Sequence, residues 1–395
     1  MKLFANLSDQ ELRRLFYIQP QPFNKQTPKN LLSYALGATL YMPATRPNIH
    51  QELLSKKHAG VSSLVICLED AIGDLEVEEA EEKLIHELRT LYQEMQAGFF
   101  QQDDLPLLFV RVRSLQQLMK LTQQLTGELH LLTGFVFPKF SPQTGRLFLQ
   151  ELNQLNEQGM RLYGMPIFET KAVIQKETRM SELTELKQLL DEYYNLILNV
   201  RIGATDFCGL YGIRRNVETT VYDIGILRDC ITDIINIFLR SDRPYVVSGP
   251  VWEHFISNER MLKPQLRQTP FRERYGSKGI KWRNELINRQ IDGLIQEVLM
   301  DIANGITGKK VIHPTHIEIV QSLNVVTYEE YIDAKSIIEG ANGQRGVFKS
   351  HFSNKMNELK PHYNWAEKIL LKSQIYGVLH EQYTYIDLLK QKTYI

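Results

Sequence analysis

The sequence predicts an α/β chain whose main body is a (β/α)8 barrel. Two observations lead there. Eight short, mostly apolar runs alternate with segments of helical periodicity, and an ionisable residue ends nearly every run. Parallel strands buried on both faces read as such runs, and barrel sites gather at the C-terminal strand ends. An open doubly wound sheet is the competing arrangement. The first run lacks a GxGxxG turn, which weakens a dinucleotide-binding version of it.

In chain order the predicted strands are 38–43, 62–69, 107–113, 134–140, 161–169, 200–206, 245–250 and 309–313. Between them, apolar residues three and four apart predict helices over 75–92, 115–126, 147–158, 182–194, 223–239 and 286–303. Residues 36–320 form the barrel domain in this reading, preceded by an N-terminal extension over 1–35. A polar, locally basic insertion covers 254–285, and a helical C-terminal extension covers 321–395, with helices over 334–339 and 366–382. Gly340–Gly346 reads as a loop between tail helices, without the Gly-Lys-Ser/Thr of a P-loop.

Composition narrows the function classes. Of 395 residues, 43% are hydrophobic and 23% charged, as in an ordinary globular chain. Lys plus Arg and Asp plus Glu both count 46, so a globally basic nucleic-acid binder is not expected. The three cysteines, Cys67, Cys208 and Cys230, are widely spaced, which argues against a disulfide framework or a zinc–cysteine site. No signal-peptide core or transmembrane run is legible, so a cytoplasmic protein with no membrane partner is expected.

The candidate site residues lie at the strand ends. Glu69 and Asp70 close the second run, Arg111 and Arg113 the third, Lys139 the fourth, Glu169 the fifth, Asp206 the sixth and His313 the eighth. Glu169 and Asp206 lie on consecutive strands, where their carboxylates can meet around a hard divalent cation such as Mg²⁺. Helix capping and acid–base use without metal are the other readings of that pair. Arg111 and Arg113 share a strand face, aimed either at a substrate oxyanion or at a salt bridge with Glu69 or Asp70. Lys139 fits a Schiff-base lysine or an ion-pair partner. The basic insertion fits an anion-binding loop or a solvated surface.

Seven collinear motifs carry a resemblance. Leu40-Tyr-Met-Pro-Ala-Thr-Arg-Pro47 resembles F-V-P-G-x-R-P, and Cys67-Leu-Glu-Asp-Ala-Ile72 resembles D-L-E-D-A-V. Val110-Arg-Val-Arg113 resembles V-R-I-N, Phe137-Pro-Lys139 resembles x-P-K, and Pro166-Ile-Phe-Glu-Thr170 resembles an I-E-T strand. Gly203-Ala-Thr-Asp-Phe207 resembles G-A-E-D-L. Asp292-Gly-Leu294, followed by Gly305-Ile-Thr-Gly-Lys-Lys-Val-Ile-His-Pro314, resembles D-x-E-G-L and G-F-T-G-K-x-A-I-H-P.

In these motifs the chain resembles the HpcH/HpaI aldolase and citrate lyase β-subunit superfamily. The resemblance implies a TIM barrel, a trimeric or hexameric homo-oligomer, and Mg²⁺- or Mn²⁺-dependent C–C bond cleavage or formation through a metal-stabilised enolate. It implies Glu169 and Asp206 as metal ligands, Arg111 as enolate stabiliser, and Glu69 and Asp70 as acidic catalytic support. Arg46, Arg111, Arg113 and Lys139 match positions expected to meet the substrate.

That substrate is expected to be a small anionic oxo- or hydroxy-acid, phosphorylated or a CoA thioester. Cys67, Ala44-Thr45, Arg113 and Thr205 depart from the family pattern. They point to the divergent C–C bond lyase branch associated with tellurite-resistance and stress-response operons. Another metal-enolate enzyme of the phosphoenolpyruvate/pyruvate barrel type, and a non-catalytic ligand-binding or assembly barrel, are the alternatives.

Overall fold

A computed structural model describes residues 1–55, 60–255, 276–279, 289–341 and 346–389. Most of the basic insertion expected over 254–285, and the middle of the 340–346 loop, lie outside the described residues. The barrel strands are β1 (Ala38–Pro43), β2 (Ser63–Cys67), β3 (Leu107–Arg111), β4 (Leu132–Phe137), β5 (Tyr163–Phe168), β6 (Val200–Ile202), β7 (Val247–Ser248) and β8 (Lys309–Val311). They form one parallel sheet in chain order, with β8 beside β1. The ring closes at the β7–β8 seam. There the Gly249 N–H donates to Gly308 O at 3.0 Å and the Lys310 N–H donates to Gly249 O at 3.2 Å. The sheet is therefore a barrel and not the open doubly wound alternative.

Two strands stop well short of expectation. β4 stops at Phe137 because Pro138 has no N–H to donate and Lys139 takes φ +46°. β6 stops at Ile202, and Gly203 turns the chain directly into the helix Ala204–Leu210. Asp206 thus stands in a helix's first turn instead of on a strand.

Side chains alternate between the two faces of each strand. Leu40, Leu64, Ile66, Leu108, Val110 and Phe135 pack outward against helix residues such as Leu84, Leu88 and Leu118. Tyr41, Val65, Phe109, Val136, Met165 and Ile167 belong to a second cluster inside the barrel. That cluster continues into Leu3, Phe4, Leu12 and Leu15 of the N-terminal segment and Tyr376 and Leu379 of the tail. The strand Phe16–Ile18 pairs antiparallel with Val378–Leu379, so the chain's beginning and its tail jointly plug the N-terminal end.

The tail helices run over Tyr328–Gly340 and Leu359–Tyr376, both starting earlier than their apolar residues indicate. The first begins at a capping box, Thr327 with Glu330. The second ends at Gly377, whose φ of +74° turns the chain toward Phe16. No helix among the described residues is long and apolar enough to cross a membrane.

Alternation sends the two lysines of β8 to opposite faces. Lys309 points outward, with Nζ 2.8 Å from Glu297 Oε1 and 2.7 Å from Asp301 Oδ2 on the helix Arg289–Ala303. Glu297 also takes Arg215 at 2.8 Å, and Tyr222 donates to Asp301 at 2.7 Å. Burial pushes the Asp301 carboxyl up to about 6, against the pull of Lys309. Removing one partner of such a network leaves buried charge uncompensated. Lys309→Met is therefore expected to destabilise the fold by about 3–5 kcal/mol in urea denaturation. An effect within experimental error would contradict this account of the seam.

Candidate active site

The C-terminal mouth is organised around one guanidinium. Arg111 is the last residue of β3 and is 1% exposed. Its Nη2 lies 2.7 Å from Glu69 Oε2 and 3.1 Å from Glu169 Oε1, and its Nη1 lies 2.9 Å from Asp70 Oδ2. Its Nε is buried with no acceptor among the described residues. A guanidinium carries five N–H groups, so three carboxylate contacts leave donors to spare. The surrounding carboxylates, Glu169 foremost, raise the Arg111 pKa despite its burial.

Glu169 follows β5 and is 4% exposed. Its Oε1 accepts both the Arg111 contact and the Lys139 backbone N–H at 2.8 Å. The left-handed φ of Lys139 turns that N–H toward the carboxylate. Oε2 lies beside Gly203, where an added Cβ would come within 2.3 Å of it. Only a glycine leaves that space open. Burial pushes the Glu169 carboxyl up to about 7; Arg111 pulls it down, and the charge of Asp206 adds to the rise. Both carboxylates line one cavity, beside the turn that joins β6 to its helix.

The Lys139 ammonium donates to Glu69 at 2.7 Å, and that hydrogen bond holds it above its ordinary value. Glu69 Oε2 also accepts the Asp70 N–H at 2.8 Å. Burial acts to raise the Asp70 pKa, but hydrogen bonding with Glu69 and the charge of Arg111 leave it lowered. Among the described residues Asp70 borders two cavities of the mouth, of about 460 Å³ and 280 Å³; Glu169 and Asp206 line the larger of these and Arg111 the smaller.

The structure thus brings together Glu69, Asp70, Arg111, Lys139, Glu169 and Asp206. It does not bring Arg46 to them, and Arg113 reaches only the backbone of Glu69, donating from Nη2 to Glu69 O at 3.3 Å. Arg46 pairs with Glu52 through Nε at 2.9 Å and Nη2 at 3.0 Å. Because β3 ends at Arg111, Arg113 lies past the strand and does not share its inward face. Its guanidinium clamps the loop after β2, donating to Leu68 O at 2.8 Å, Ile72 O at 2.6 Å and Asp74 at 2.6 Å. Both arginines are held by loops beside the mouth in this structure. His313 stacks on Phe255 at 5.0 Å between ring centroids, beside the eighth strand.

Sequence reasoning missed three inward residues of the larger cavity: Tyr41 on β1, Arg201 on β6 and Lys310 on β8. The signal was present. Arg201 interrupts Val200-Arg-Ile202, and a charge inside an apolar strand demands a purpose.

A divalent cation would find a hard oxygen donor set here. Glu169 and Asp206 supply two carboxylates, and the space kept open by Gly203 leaves Glu169 Oε2 available. No group of three or more His, Cys, Asp or Glu among the described residues is placed to hold a metal, so the set is a two-carboxylate one. That suits Mg²⁺, which binds through one or two carboxylates and keeps other positions for water or substrate.

The barrel and its convergent charged mouth define an enzyme of the α/β-barrel class. The profile of a family described as C–C bond lyases of the TIM-barrel fold matches residues 30–378. The chain belongs to that family of carbon–carbon lyases. No curated protein matches it in sequence.

Among solved structures it is similar to CitE from Mycobacterium tuberculosis, crystallised with magnesium, acetoacetate and coenzyme A. The identity is 15% and the TM-score 0.52, over 86% of this chain and 99% of that one. It is also similar to a citrate lyase from Burkholderia xenovorans LB400, at 14% identity and TM-score 0.58, over 90% and 96% of the respective chains. At these identities the likeness is one of fold.

Glu169 makes stability pH-dependent, with a definite sign. Its folded pKa lies above the ordinary value of 4.5, at about 7. The folded state therefore holds the proton more tightly than the unfolded one. The associated stability is complete below the ordinary value and is lost as pH rises through about 7. Wild type is expected to lose stability relative to Glu169→Gln between about pH 5 and pH 8, by roughly 2 kcal/mol in urea denaturation. A pH-independent difference between the two proteins would contradict the assignment.

Proposed function

We propose that this lyase breaks or forms a C–C bond beside the carbonyl of a small anionic oxo- or hydroxy-acid. Glu169 and Asp206 would hold a divalent cation, Mg²⁺. The observation that carries this reading is the geometry at Glu169. One carboxylate oxygen is fixed by a backbone N–H and Arg111, while the other lies in the space that Gly203 keeps open, in a cavity that Asp206 also lines. The M. tuberculosis CitE was crystallised with magnesium and a small oxoacid, acetoacetate, and its barrel is similar.

The bound cation supplies a Lewis acid for the substrate's carbonyl oxygen. The chain's own residues then do three things. Arg111 lines the smaller cavity, where it donates to the oxygen on which negative charge develops. Glu69 and Asp70 hold that guanidinium in one orientation, so little reorganisation accompanies the charge shift. Lys139 fixes Glu69 through its ammonium and Glu169 through its backbone. No covalent nucleophile is required.

A panel of γ-hydroxy-α-oxo acids tests this. Mg²⁺-dependent release of a pyruvate-type fragment is expected, falling at least about 100-fold in Asp206→Asn and in Arg111→Lys. Release that is indifferent to chelator, or undiminished in both variants, would refute the reading.

A further inference from the structure

The larger cavity holds positive charge that the reaction described above does not use. Arg201 is 3% exposed and its Nη2 has no hydrogen-bond partner among the described residues. Its Nη1 meets only the Met165 sulfur, at 3.6 Å. Lys310 stands on the inward face of β8 with no carboxylate partner among the described residues, its Nζ 4.7 Å from the centroid of the Tyr41 ring. The Arg201 guanidinium approaches the same ring, at 5.5 Å. Tyr41 is itself 7% exposed, and its hydroxyl is a second buried polar group without a partner among the described residues.

All three residues line the one cavity, alongside Glu169 and Asp206. The other buried cation there, Arg215, is already paired with Glu297 at 2.8 Å. An unpaired guanidinium inside a barrel is destabilising, because a desolvated charge is tolerated only with a partner. Burial accordingly lowers the pKa of both Arg201 and Lys310. Cation–π contact with Tyr41 offsets part of the cost but fills no N–H. The missing component is an anion with several acceptor oxygens.

We infer that Arg201, Lys310 and the Tyr41 hydroxyl form an anion subsite that takes a second acidic group of the substrate. It would hold a carboxylate or phosphoryl group while the oxoacid end meets Glu169 and Asp206. The inference rests on the proposed lyase reading for what occupies the other end. It makes the substrate at least a dianion. A planar guanidinium and a point-charge ammonium gathered at the same ring suit an oxyanion. The cavity, at about 460 Å³, is in the size range of small-molecule sites.

Calorimetry in EDTA, with inorganic phosphate and succinate as separate probes, reads this subsite without the metal. Wild type is expected to bind at least one of them, and the preferred probe distinguishes a phosphoryl from a carboxylate ligand. Arg201→Met and Lys310→Met are each expected to weaken that binding at least about tenfold. Arg201→Met is also expected to raise the melting temperature, because it removes a buried charge without a partner. This second readout shows that lost binding is not lost folding.

Binding of neither probe to wild type would overturn the inference, as would undiminished binding in both variants. Failure of metal-dependent fragment release, with anion binding intact and Arg201-dependent, would remove only the lyase reading.

Discussion

The mouth of this barrel depends on a single cation shared by three carboxylates. Arg111 leaves β3 between the loop that follows β2 and the end of β5, and ties Glu69, Asp70 and Glu169 to one point. Three acidic groups this close would otherwise repel one another, and two of them would be buried without compensation. With the guanidinium in place they become a fixed frame. The frame extends through Lys139, which contributes its ammonium to Glu69 and its backbone N–H to Glu169. Breaking a C–C bond beside a carbonyl requires donors that are already oriented when charge shifts, and a frame of this kind provides them.

The second organising constraint is the two-residue period of the strands. It decides which charges stabilise the fold and which are available for chemistry. On β8, Lys309 turns outward and is consumed by Glu297 and Asp301, while its neighbour Lys310 turns inward and keeps its ammonium for the cavity. On β6, Arg201 faces inward between two apolar residues that face the helices. A one-residue slip of either strand would exchange these roles. The plug of N-terminal segment and tail helices closes the opposite end, so the polar interior groups belong to the mouth.

Much of this architecture was legible in the sequence, for identifiable reasons. Apolar runs such as Val61–Leu68 and Leu107–Val110 announce strands buried on both faces, and all eight barrel strands fall within or across the predicted runs. The ionisable residues at strand ends were legible because a barrel places them together regardless of their distance in sequence. What was not legible depended on where each strand stops. The strand ends at Arg111 and Ile202 separate Arg113 from Arg111 and move Asp206 onto a helix, and these are decisions of a turn, not of a periodicity. The pairing of Arg46 with Glu52 was not legible either, because a local polar partner is indistinguishable from a substrate contact until the loop is folded. The inward lysine of β8 was hidden by its outward neighbour, since consecutive lysines give no sign of which face each takes.

The most direct test of this account is calorimetric titration of pyruvate into wild type and Asp206→Ala, each with Mg²⁺ and with EDTA. The account predicts that Mg²⁺ tightens pyruvate binding to wild type over that in EDTA, and that Asp206→Ala shows no such metal-dependent gain. Equal binding in EDTA, or equal binding by Asp206→Ala, would contradict the central claim that Glu169 and Asp206 hold the cation on which the oxoacid is bound.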